Sequence, residues 1–199
     1  MPAVVRDEEG LAGLRARGVT RALTLWPEWG IPVRFLRKLH EGVENRPKPY
    51  PKSLQGRRIA IHMGKYVGGR AGGRAFFDGM ASVFMTAAAS GWKVYRPSES
   101  VYVLRRGSST GLADGQLVYE GSQEGDITIR IPEHIVTSAI VATGVLSEVI
   151  GPTPNPPRPW MVPTEPDELD EPSCGWVFAD IEILEKPIAC PGMQGIWTL

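Results

Sequence analysis

Glu44, Asn45 and Arg46 follow one another inside the stretch GVENRPKPYP, with His40 and Glu41 just ahead of them. A guanidinium is a planar fork suited to a phosphate or to two acceptors on a base edge, and an amide both donates and accepts. Glu44 would accept from an exocyclic amine or hold Arg46 in position. The same triplet also reads as a structural ion pair in a solvated hairpin, and composition does not choose between the two. Arg46 opens a run in which Lys48, Lys52, Arg57, Arg58, Lys65, Arg70 and Arg74 follow with no aspartate or glutamate among them. Long cationic side chains interleaved with glycine and an aromatic, Tyr66, are what contact with a phosphate backbone needs. A basic solvated face is the plainer reading of the same run.

Trp26 and Trp29 offer faces on which a base could stack, against the alternative of core packing for Trp26. His62 fits a hydrogen-bonded structural role on a strand. Lys65 opens a glycine-rich loop and faces solvent or phosphate. Gln194, beside Gly195, reaches a cleft edge or makes a turn. If the chain is an enzyme, Glu41, Glu44, Lys65 and His62 are the acid-base candidates. GGRAGGR lacks the lysine and hydroxyl of a GxxxxGK(S/T) loop, and HEG at His40 does not continue into a zinc-binding HExxH helix. His40, His62 and His134 are scattered, so neither a metal nor a cofactor is expected. Cys174 and Cys190 read as reduced, partly buried thiols.

These residues need elements to position them. The chain has 199 residues, 42% of them hydrophobic, enough for one domain with a real core. Basic and acidic residues number 22 each, so any drive toward a polyanion is local. No apolar run has the length of a signal segment or a membrane span, which points to a cytoplasmic protein with no membrane partner. Asp7 to Arg17 reads as a helix with acids at its start and arginines at its end. ALTLW (22–26) reads as a strand, PEWGIPVRFLRKL as a helix beginning near Pro32, GVENR as a short extended segment and PKPYPK as a polyproline-like connection. RRIAIHM (57–63) is a strand with Ile59 and Ile61 on one face. Phe76 to Ser90 has helical spacing, and VYVLRR, QLVYE and DITIRI suggest hairpins. A strand from Ser138 is expected to bend at Gly144, another runs from Gly175, and GMQGIWTL closes the chain with a short one. The whole predicts an α+β fold over 1–199, a twisted sheet or small β-barrel with flanking helices. Residues 66–137 read as an insertion or divergent region and 151–173 as a proline-rich loop.

ALTLWPEWG, GVENR, GRRIAIHMGK, AIVATGVLSEVI and WVFADIEILEKPIACPGMQGIW, in that order, resemble the ASCH domain of the PUA-like superfamily. The resemblance covers Ala22 to Lys65 and Ser138 to Leu199. It implies a β-barrel-like fold with a cleft beside the first helix that binds RNA or a nucleotide-like ligand, here with Trp26, Trp29, Glu44, Asn45, Arg46, Lys65, Arg70, Arg74 and Gln194 as contacts. The family's cleft motif is similar to GxKxxExR. Glu44 and Arg46 stand at its Glu and Arg, while its lysine position falls on Glu41 and its glycine on Leu39. Lys38 or Lys65 would restore the missing ammonium. The family also includes an amidohydrolase acting on N4-acetylated cytidine and proteins reported as ribonucleases. A metal-independent hydrolase acting on RNA or a modified nucleoside is therefore the alternative, with a protein-interaction module as a third. The amidohydrolase uses a lysine and a threonine of this motif, and Glu41 and Glu44 at those positions supply neither group, which disfavours that route.

Overall fold

The computed structural model describes residues 6–35, 38–65, 84–85, 93–98, 101–106, 125–130, 136–164 and 173–199, with 93–98, 101–106 and 125–130 as backbone. Helix α1 spans Glu8–Ala16. The Asp7 side chain caps it by accepting from the Gly10 amide, and Glu8 and Glu9 in its first turn oppose Arg15 in its last. Gly10 weakens helix propensity, yet a Cβ there would stand 2.9 Å from Ile188, so the glycine lets the helix lie close on its neighbouring strand.

Strand β1, Arg21–Leu25, leads through a 3-10 turn, Pro27–Trp29, into α2, Gly30–Phe35, and α3, Lys38–Glu41. The helix expected to begin near Pro32 starts two residues earlier, at Gly30, behind the 3-10 turn. Helical structure begins earlier because Pro27 opens the 3-10 turn and Pro32 falls in the first turn of α2, where no intrahelical amide bond is lost. Strand β2 is Val43–Arg46, a second 3-10 turn covers Lys52–Leu54, and β3 is Arg58–Met63. Strands β4, Lys93–Ser98, β5, Val101–Arg106, and β6, Gly125–Arg130, form an antiparallel three-stranded sheet, in which β5 and β6 correspond to the expected VYVLRR and DITIRI and β4 is not anticipated. QLVYE and the expected helix from Phe76 lie outside the described residues, apart from Phe84 and Met85, which are helical. Strands β7, Ala139–Ile150, β8, Cys174–Ala189, and β9, Ile196–Thr198, complete the chain.

The main sheet has the order β2-β8-β7-β3-β1-β9 and is antiparallel except for the β1/β3 pair. Register shifts break the β7/β8 ladder three times, one of them across Gly144, where a Cβ would meet Ile181 at 2.3 Å. Such irregularities raise local twist and bend long strands. The sheet is accordingly curled into a half-barrel flanked by short helices. Leu23, Leu25, Ile59, Ile61, Met63, Leu146, Trp176 and Phe178 fill its inner face, while Leu11 and Leu14 of α1 cover Ala22, Ala60, Ile140 and Trp197 on the other. β1 and β3 are therefore buried on both faces, which suits their largely apolar sequences, with Thr24 and His62 as the polar exceptions in their interiors. Among the described residues no helix is long and apolar enough to cross a membrane. Residues 151–164 of the proline-rich stretch form no helix or strand but bury Trp160, Met161 and Thr164, and 165–172 lie outside the described residues.

Candidate functional site

Glu44, Asn45 and Arg46 are held in register by β8, opposite Trp176, Gly175 and Cys174. Alternation along a strand sends Glu44 and Arg46 to one face and Asn45 to the other. On the first face Lys38 Nζ donates to Glu44 Oε2, and Arg46 Nε lies 3.3 Å from Glu44 Oε1. The ammonium sits 4.5 Å from the centroid of the Trp29 ring, and the Arg46 guanidinium 5.9 Å from that of Trp176. Lys38 is only 1% exposed, and burial pulls its ammonium below the ordinary lysine range although Glu44 opposes this. Lys38 from α3 thus places a buried ammonium against Glu44. Glu41 itself closes α3, and its side chain is not among those described.

On the second face Asn45 spends its amide on the proline-rich segment: Nδ2 donates to the Trp160 carbonyl at 2.7 Å, and Oδ1 accepts from the Val162 amide at 3.0 Å. The amide expected to read a ligand is engaged in holding backbone. Gly42 allows the same approach, since a Cβ there would lie 2.2 Å from the Pro159 carbonyl oxygen.

Arg46 Nη2 donates to the Thr24 carbonyl at 3.0 Å. Three strands separate β2 from β1 in the sheet order, which in a flat sheet would place them roughly 19 Å apart, beyond any side chain. Curling brings the two together, and Thr24 becomes the meeting point. Its hydroxyl donates to the Met193 carbonyl, accepts from Trp197 Nε1 at 2.9 Å and lies 3.1 Å from His62 Nδ1. Its amide donates to the Gly195 carbonyl, and one residue on, the Gly64 amide donates to the Leu25 carbonyl, which brings Lys65 to the same end of β1. Trp26 stands there 63% exposed, so it is not the core residue that its apolar type allowed. Lys65, Met193 and Gln194 are exposed as well.

Trp29 is half-buried beneath Lys38, and His62 is 1% exposed, with Nε2 donating to the Cys190 carbonyl at 3.1 Å and its ring edge-on to Trp197. Arg70 and Arg74 lie outside the described residues. Glu28, in the 3-10 turn between the two tryptophans, is 8% exposed with no hydrogen-bond partner for Oε2, and burial raises its carboxyl above the ordinary range. Sequence reasoning missed Thr24, Glu28 and Trp176. The alternation of Thr24 with Trp26 could have flagged the first, because residues two apart on a strand share a face. Nothing local marks Trp176, whose indole donates to the Lys48 carbonyl and meets Tyr50 edge-on.

The end of β1 therefore gathers a half-buried guanidinium already engaged by Thr24 and Glu44, the exposed face of Trp26 and the exposed ammonium of Lys65, groups whose chemistry suits an anion together with a flat ring. Among the described residues no three His, Cys, Asp or Glu side chains are grouped to hold a metal ion. Comparison of the chain with protein-family models, with curated proteins and with solved structures finds no match.

Proposed function

We propose that the chain is an ASCH-type, PUA-like module that binds RNA or a nucleotide-like ligand at the open end of its curled sheet. The observation that carries this reading is that an exposed Trp26 follows the end of β1, to which Arg46 is tied through the Thr24 carbonyl and Lys65 through the neighbouring Gly64–Leu25 bond. The coarse architecture, a half-barrel of six strands with short flanking helices, supports it. In this reading Trp26 stacks a base, while Arg46 and Lys65, with Arg70 and Arg74, meet phosphate. Lys38, Glu44 and Trp176 form the rigid wall behind Arg46, and Gln194 borders the opening. No observation favours hydrolysis: Glu44 is tied to Lys38, and His62 is tied to Thr24 and Cys190.

Trp26→Ala tests the site without disturbing the core. Stacking contributes about 1–3 kcal/mol per base, so the variant should bind short single-stranded RNA roughly 5- to 150-fold more weakly at unchanged melting temperature. Arg17→Ala, at the C-cap of α1, serves as the control cation and should bind like wild type. Equal affinity of the Trp26 variant and wild type would sink the proposal.

A further inference from the structure

The hydrogen bonds around His62 have a proton count that a neutral imidazole does not satisfy. A threonine hydroxyl has one proton and two lone pairs. The Thr24 proton goes to the Met193 carbonyl, which only accepts, and one lone pair receives the Trp197 indole, which only donates. The position left for His62 Nδ1, at 3.1 Å, is an acceptor, so Nδ1 must carry a proton. His62 Nε2 faces the Cys190 carbonyl at 3.1 Å and must carry one too. Between the two nitrogens the ring edge is covered by Gly192, where a Cβ would lie 2.1 Å from Cε1. The whole edge that bears the protons thus faces Thr24 and the segment Cys190–Gly195, and these bonds together suit an imidazolium.

We propose that His62 is a proton-operated latch on the segment Cys190–Gly195. Doubly protonated, the ring donates to Cys190 and to Thr24 together, which leaves the Thr24 proton for the Met193 carbonyl. Singly protonated, it keeps Nε2–H on Cys190, Thr24 turns its proton to Nδ1, and the Met193 carbonyl is released. The latch thereby sets how firmly Met193 and Gln194 are held beside Trp26, whatever binds there.

Among the described residues the charged groups around the ring are few. Its own strand carries Arg58, bonded to Asp180, and β1 carries Arg21, bonded to Thr198. Arg46 reaches the Thr24 carbonyl, and the segment brings the Cys190 thiol, on which Arg6 acts. The facing part of β7, 139–142, and all of β9 carry no titratable side chain. Burial holds the imidazole below histidine's ordinary 6.5, with the bond to Cys190 opposing it, so the latch closes on acidification.

The test is a pH titration of the isotope-labelled full chain by NMR. It follows the protonation of each His62 ring nitrogen together with the amides of Met193–Gly195. In wild type the segment should follow the ring with a shared midpoint below 6.5, and its amides should exchange about fivefold more slowly in the closed form, as one hydrogen bond dictates. In Thr24→Val the ring should still titrate and the segment should no longer follow it, while Thr24→Ser should restore the coupling. A ring that stays neutral until acid unfolding, a segment indifferent to the ring in wild type, or one that follows it in Thr24→Val would overturn the latch. Were Thr24→Val not to fold, the wild-type and Thr24→Ser titrations still decide by the same criteria.

Discussion

Glu44 lies between two cations, and its neighbours are affected unequally by its loss. Glu44→Gln leaves Lys38 buried without a counter-charge and facing Arg46, and breaking a buried pair in this way costs about 3–5 kcal/mol. Lys38→Met should cost less, because Glu44 keeps Arg46 as a partner and the alkyl stem still covers Trp29. Replacing both as Lys38→Met/Glu44→Leu should recover most of the loss, since an apolar pair of similar volume often does as well as a buried ion pair. Urea denaturation of the three variants checks the order. Glu28 provides a pH-dependent counterpart. Its carboxyl is raised by burial, so its protonated form is favoured in the folded state. The stability this contributes is full below about pH 4.5 and falls as pH rises through the raised folded value. Glu28→Gln, neutral at every pH, should therefore stabilise the protein by about 1 kcal/mol at pH 8 and hardly at all at pH 4. Thermal melts of both proteins at the two pH values would show it, and a gain confined to pH 4 would contradict the assignment.

The elements were legible where a local rule decides them. Acids, cap and arginines delimit α1, and alternation or apolar runs mark β1, β3, β7 and β8. What was not legible is tertiary. Lys38 and Glu44 are six residues apart and readable as neighbours only once α3 is known to fold back on β2, and Trp26 stood between stacking platform and core because indole area says nothing about which side of a turn faces water. Asn45 shows the same limit in reverse: its type suggested recognition, and the partner that occupies it lies 115 residues further on. Its role at the level of the element is to tie the proline-rich segment to β2. Asn45→Ala removes two hydrogen bonds, about 1 kcal/mol each, from residues 160–162. Limited proteolysis should then cut that segment several-fold faster, while Gly10 and the α1 packing remain protected. Gly42→Ala should have a larger effect, because the Pro159 carbonyl that its Cβ would meet is backbone and cannot rotate away.

At the scale of the molecule, the absence of net charge makes the salt dependence of binding a direct count of the cations engaged. A single strand that releases counterions from Z phosphates loses affinity with a slope of log K against log salt of about −0.7Z. If Arg46 and Lys65 alone meet phosphate the slope is about −1.4, and if Arg70 and Arg74 join them it is about −2.8. A rise from about 50 to about 200 mM salt then weakens binding about sevenfold in the first case and about fiftyfold in the second. The acid-free run from Arg46 to Arg74 favours the steeper slope, because the chain holds its acidic residues elsewhere, notably from Glu165 to Glu171. Arg70→Ala/Arg74→Ala should bring it down to the shallower value while leaving the Trp26 contribution intact, since stacking releases no counterions. A slope already near −1.4 in wild type would confine the phosphate contacts to the curled sheet itself, and a slope near zero would remove phosphate from the ligand.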